Sequence, residues 1–95
     1  MVLYSKHIIL ESEEFDGFLE LEHGKIQGIH KSWEGSYEDY SNCVILPGFI
    51  DIHVHGWATG SFWYEKTEES LRKMCHTLPF SGVTSYLGTT GADSV

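Results

Sequence analysis

Ninety-five residues suit one small domain or a piece of a larger one, and 41% hydrophobic, 21% charged and 14% aromatic residues make an ordinary folded composition. Fourteen acidic against six basic side chains give a net charge of −8, which disfavours nucleic acid, a partner that demands a basic footprint. No apolar run approaches the ~20 residues of a membrane helix. The start, Met1 to Lys6, lacks a secretory core, so a cytoplasmic protein with neither nucleic-acid nor membrane partners is expected.

Residues 1–46 read as a β-rich segment of short strands and turns. Leu3 to Leu10 carries Ile8 and Ile9 and ends at the acidic break Glu11-Ser12-Glu13-Glu14. Phe18-Leu19-Glu20-Leu21-Glu22 alternates apolar and charged residues, the pattern of a half-buried strand. His23-Gly24-Lys25 is a turn signal and Ile26 to Ile29 resumes as a partner strand, so a hairpin is expected. Trp33 to Asn42 reads as a connecting loop before the lead-in Cys43 to Leu46. Cys43 and Cys75 lack CxxC spacing and are expected to be free, buried thiols.

Residues 47–95 open on Pro47-Gly48-Phe49-Ile50-Asp51-Ile52-His53-Val54-His55-Gly56, a turn followed by a strand. Alternation puts Asp51, His53 and His55 on one face and Ile50, Ile52 and Val54 on the other. The apolar face is expected to pack on helices. Both imidazoles then look into a cavity, where two rings at this spacing can converge on one metal ion, at about 2.0–2.1 Å per nitrogen for zinc. Asp51 reads as a polar anchor below them, in need of a hydrogen-bond partner. His7, His23, His30 and His76 share no spacing of note and read as solvated, turn or capping groups.

Trp57 to Tyr64 is an aromatic-rich loop, which either walls a pocket, covers the mouth of the strand–helix unit or meets a neighbouring subunit. Thr67 can cap a helix whose first turn holds Glu68 and Glu69, and Leu71, Met74, Cys75 and Leu78 form its apolar stripe. Pro79 and Gly82 end it, and Val83 to Leu87 is a second strand. Strand, helix and strand over about forty residues read as a right-handed β-α-β unit. Thr89 and Thr90 follow at its end.

The Pro47–Gly56 motif resembles the first barrel strand of the amidohydrolase superfamily, whose metal-binding His-x-His ends that strand. Gly82-Val83-Thr84-Ser85-Tyr86-Leu87-Gly88-Thr89-Thr90 resembles the second barrel strand of the N-acetylglucosamine-6-phosphate deacetylases. The glycine after His55 fits that family better than the dihydroorotase and allantoinase branches. Ser61-Phe62-Trp63-Tyr64 departs from it, because related deacetylases carry further glycines and an acidic residue in this loop.

The resemblance implies an α/β chain: part of a small β-sandwich over 1–46, then the first β-α-β portion of an incomplete (β/α)8 barrel over 47–95. It implies metal-dependent conversion of N-acetylglucosamine 6-phosphate to glucosamine 6-phosphate and acetate, with His53 and His55 as ligands to a divalent ion, zinc or iron. It also implies an amino-sugar phosphate substrate. A full barrel takes roughly 250 residues, so the chain reads as the N-terminal quarter of such an enzyme, holding no catalytic residue and inactive alone. An unfinished barrel exposes apolar surface and strand edges, so a homo-oligomer is expected. Two alternatives stay open: a fragment of another cyclic-amide hydrolase of the superfamily, or a non-catalytic β-rich module with an incidental histidine pair.

Overall fold

The structure, a computed structural model, describes residues 1–57 and 60–91 and divides into two units, Met1–Pro47 and Gly48–Val95. It is a mixed α/β chain of mostly strands with one α-helix among the described residues.

In the first unit, β1 (Val2–Ile9), β2 (Glu14–Glu22) and β3 (Lys25–His30) form an antiparallel meander. The β2–β3 turn is His23-Gly24 with φ of 50° and 73°. Positive φ at both central residues matches the right-handed twist of the strands, which is why Gly follows a polar residue here. Two short strands, β4 (Glu38–Asp39) and β5 (Val44–Ile45), lie parallel to β1 and complete the five-stranded sheet. The expected loop over Trp33 to Asn42 thus contains a strand that two charged residues could not announce.

Val2, Ile8 and Leu19 are the buried apolar side chains of this unit. Tyr4, Phe18 and Tyr37 form a ring cluster with centroids 4.9 to 5.9 Å apart. Where the β1–β2 register shifts, Ser5 is fully buried. Its Oγ donates to the Cys43 carbonyl (2.6 Å) and accepts from the His7 N–H (2.9 Å), replacing ladder bonds that the bulge breaks.

In the second unit, β6 (Phe49–Val54) and β9 (Val83–Gly88) pair in parallel, and α1 (Glu68–Thr77) lies between them in sequence. Parallel neighbours need a long crossover, and the helix supplies it. Between β6 and α1 is a small antiparallel pair, β7 (Gly56–Trp57) and β8 (Gly60–Ser61). Part of the expected aromatic loop, residues 58 and 59, lies outside the described residues. Thr67 caps α1 by accepting from the Ser70 N–H at 3.1 Å. Arg72 with Glu68 and Lys73 with Glu69 make i,i+4 pairs on its solvent face. A 3₁₀ turn over Leu78–Ser81 ends at Gly82, whose φ of 80° lets its N–H reach the carbonyls of Leu78 and Pro79.

The core of this unit is Val54, Met74 and Leu78, with Phe62, Val83 and Tyr86 against it. Three expectations need correction. The buried face of α1 runs through Ser70, Met74 and Leu78 rather than through Cys75. Ser70 faces inward because its Oγ accepts from the Ser61 N–H (2.6 Å), and because Gly60 has no side chain to hold the helix away. Cys43 and Cys75 are exposed free thiols, not buried ones. Of the apolar face of β6, only Val54 is buried, while Ile50 and Ile52 remain 69% and 73% exposed.

Candidate functional site

The candidate site is built at the C-terminal end of β6. A strand sends His53 and His55 to the same side, and their Nε2 atoms lie 3.1 Å apart, with ring centroids at 5.0 Å. The strand end is fixed from both sides in the backbone. The Thr89 N–H donates to the Val54 carbonyl (2.8 Å) at the β9 side, and the Trp63 N–H donates to the His55 carbonyl (3.2 Å) from the loop. Asp51 finds the partner its half-buried carboxylate requires, since its Oδ1 accepts from the His53 N–H at 3.0 Å. It braces the strand below the pair. Thr89 Oγ1 donates locally to the Leu87 carbonyl at 3.4 Å.

His53 is exposed, whereas His55 is partly covered by Trp63, whose ring centroid lies 4.8 Å from that of His55. Tyr64 stacks on Trp63 in turn, at 5.5 Å and 16° between planes. The Nδ1 of His55 is buried and has no hydrogen-bond partner among the described residues. Trp63 was legible only as one ring of an aromatic loop. Nothing in the local spelling shows that it covers a histidine eight residues earlier.

The pair fits a metal ion by a simple distance test. Two nitrogens each about 2.0–2.1 Å from one ion are about 2.9 Å apart at a right angle and about 3.4 Å apart at the tetrahedral angle. The observed 3.1 Å lies between these limits. It is equally the length of an imidazole–imidazole hydrogen bond. Among the described residues no group of three or more His, Cys, Asp or Glu side chains gathers as a complete ligand set. The other histidines are engaged or apart: His7 pairs with Glu14, His30 Nε2 lies 2.9 Å from Glu20, His23 sits in its turn, and His76 is exposed on α1.

A cavity of about 520 Å3 in the second unit is lined by Phe62, Trp63, Leu71 and Gly91, together with Lys66 and Thr90. It shares Trp63 with the surroundings of the histidine pair but neither histidine lines it. No helix among the described residues is long and apolar enough to cross a membrane.

The chain is therefore of the mixed α/β class, with a strand-rich first unit and a parallel strand–helix–strand unit that presents two imidazoles at the end of its leading strand. No family model and no solved structure matches it. It is 36% identical over 91 residues to the N-acetylglucosamine-6-phosphate deacetylase of Bacillus subtilis (strain 168), a match that covers 87% of this chain. The likeness thus extends over most of the sequence, and what it shows is similarity to part of this one deacetylase. It spans 22% of the length of that relative.

Proposed function

We propose that the protein belongs to the machinery of a metal-dependent deacetylase that converts N-acetylglucosamine 6-phosphate to glucosamine 6-phosphate and acetate, with this chain supplying two ligands of the metal. The observation that carries the reading is the 3.1 Å approach of the His53 and His55 Nε2 atoms at the end of a strand, in a chain related to such a deacetylase. In this reading residues 1–46 are part of a small β-sandwich and residues 47–95 open a (β/α)8 barrel, in which strand C-termini form the active-site face.

A bound zinc or iron ion supplies Lewis acidity towards the acetamide carbonyl and eases the ionisation of water. The chain's own residues do the holding. To hold an ion through Nε2, His53 and His55 would each carry the ring proton on Nδ1. Asp51 keeps the backbone of His53 in register, and Trp63 shields one face of His55 from solvent. Catalytic zinc takes three protein ligands as a rule, so the remaining ligands and the general base come from residues beyond these. The 95-residue chain alone is inactive.

Metal content and activity test this together. Zinc or iron retained by the purified chain is expected to be lost in His53→Ala and in His55→Ala. Unchanged metal content in both variants would identify the 3.1 Å contact as an incidental hydrogen-bonded pair in a non-catalytic module. Acetate release from N-acetylglucosamine 6-phosphate is expected only from a polypeptide of the relative's full length that includes this sequence. Turnover of a cyclic amide instead would move the chain to another branch of amide hydrolases.

A further inference from the structure

Ligating histidines ordinarily have their ring direction fixed by a hydrogen bond at the second nitrogen. His55 departs from that, because its Nδ1 is buried without a partner among the described residues. The 3.1 Å contact with the His53 Nε2 lies on the side an ion would occupy and would give way to it, so packing is left to aim the ring. An imidazole turns about two side-chain torsions, and a flat neighbour packed against its face restricts both. The indole of Trp63 is that neighbour, at 4.8 Å between centroids and 37° between planes.

The indole is itself held on three sides. Its backbone N–H is tied to the His55 carbonyl at 3.2 Å, so the residue cannot drift along the loop. Tyr64 stacks on it at 5.5 Å. At the far edge of the six-membered ring lies Gly91, where an added Cβ would come within 2.6 Å of Cη2. Ring and backbone approach each other there as closely as a missing side chain allows. Gly91, Trp63 and His55 thus form a stack running from the end of the β9 segment to the histidine pair.

We infer that Trp63 is the positioning residue for His55: its indole, wedged against Gly91, does by packing what a hydrogen bond at Nδ1 does elsewhere, and aims the His55 Nε2 at that of His53. The consequence for metal affinity rests on the proposed ligand role of the two histidines. The aiming of the ring does not.

Two readouts on the 95-residue chain separate the parts. The first needs no metal: the nuclear Overhauser contact between the His53 and His55 ring protons, which reports the aim of the His55 ring whether or not an indole shields it. In Trp63→Leu this contact is expected to be lost, and in Trp63→Phe to be kept in part. In Trp57→Leu it is expected to stay, since Trp57 lies in β7 and makes no ring contact with either histidine among the described residues. The second is zinc affinity by calorimetry. Trp63→Leu is expected to weaken it by about tenfold, the lower end of what losing an outer partner of a ligating histidine costs, with partial rescue in Trp63→Phe.

Should Trp63→Leu lose the β7–β8 pairing, Gly91→Ala replaces it. That change keeps the indole but pushes it off its seat, and is expected to weaken the contact between the two imidazoles as well. A His53–His55 contact unchanged in both Trp63→Leu and Gly91→Ala would overturn the inference. A wild-type chain that takes up no zinc would sink the metal reading alone, and the comparison of ring contacts would then decide the role of Trp63 by itself.

Discussion

At the scale of single residues, Tyr86 in the second unit is a group whose ionisation is tied to its fold. Tyr86 packs against the Val54–Met74–Leu78 core, and burial, followed by its contact with Cys75 (Sγ to Oη 3.5 Å), raises its phenol from 10.0 to about 12. The sign follows from linkage. Below pH 10 both folded and unfolded chains keep the proton, and the stabilisation is fully present. Between 10 and about 12 the unfolded chain gives the proton up while the folded one holds it, so stability falls as pH rises. The expected outcome is a urea midpoint that drops more steeply above pH 10 in the wild type than in Tyr86→Phe. Cys75→Ala should remove only the smaller part of the effect, because burial is the larger cause. Parallel slopes in wild type and Tyr86→Phe would show that Tyr86 ionises as freely as an exposed tyrosine.

At the scale of elements, α1 is held by two devices that fail by different amounts. The Thr67 cap satisfies one N–H of the first turn, and its loss in Thr67→Ala should cost about 1 kcal/mol. Gly60 lies where α1 meets β8, and a Cβ there would come within 2.5 Å of the Ser70 carbonyl and 3.0 Å of Met74 Cγ. Gly60→Ala must lever the helix off β8, breaking the Ser61-to-Ser70 bond and loosening the fully buried Met74. It should therefore cost more than Thr67→Ala, towards the upper end of the about 1–3 kcal/mol that overpacking costs. Equal denaturation midpoints for the two variants would show that the close approach is not maintained in solution.

These elements also mark how far the sequence could be read. The His23-Gly24 hairpin, the Thr67 cap, the strand–helix–strand order and the shared side of His53 and His55 are local matters of spacing and turn chemistry, and all were legible. What was not legible depends on partners far along the chain. Cys75 keeps perfect helical spacing with Leu71 and Leu78, yet the helix rolls towards Ser70 because Gly60 admits it. Glu38–Asp39 becomes a strand only because β1 offers an edge. Trp63 reaches His55 through a turn that its own neighbours do not specify. Periodicity reports which face an element prefers, and the tertiary contact decides which residue of that face is covered.

At the scale of the whole molecule, the parallel pair β6–β9 leaves much of its apolar surface uncovered among the described residues. Two parallel strands are too few to be stable on their own in water, and such strands are normally covered on both faces. Here Phe49, Ile50, Ile52 and Leu87 are 55% to 73% exposed, and among the described residues β6 and β9 pair only with each other. Covering a side chain of this size gains about 1.5–3 kcal/mol. A net charge of −8 opposes association, but exposed charges are screened beyond about 8 Å at physiological salt. The apolar term wins at short range, and the chain is expected to associate with itself in a concentration-dependent way. Ile50→Lys with Ile52→Lys tests which term governs. The double variant lowers the mutual repulsion, so an electrostatically limited association would strengthen. If apolar strand faces drive it, sedimentation under reducing conditions (which keep exposed Cys43 and Cys75 from cross-linking) should show the variant moving towards the monomer mass. A wild-type chain that sediments as a compact monomer at all concentrations would mean that β6 and β9 are stable in water as they stand.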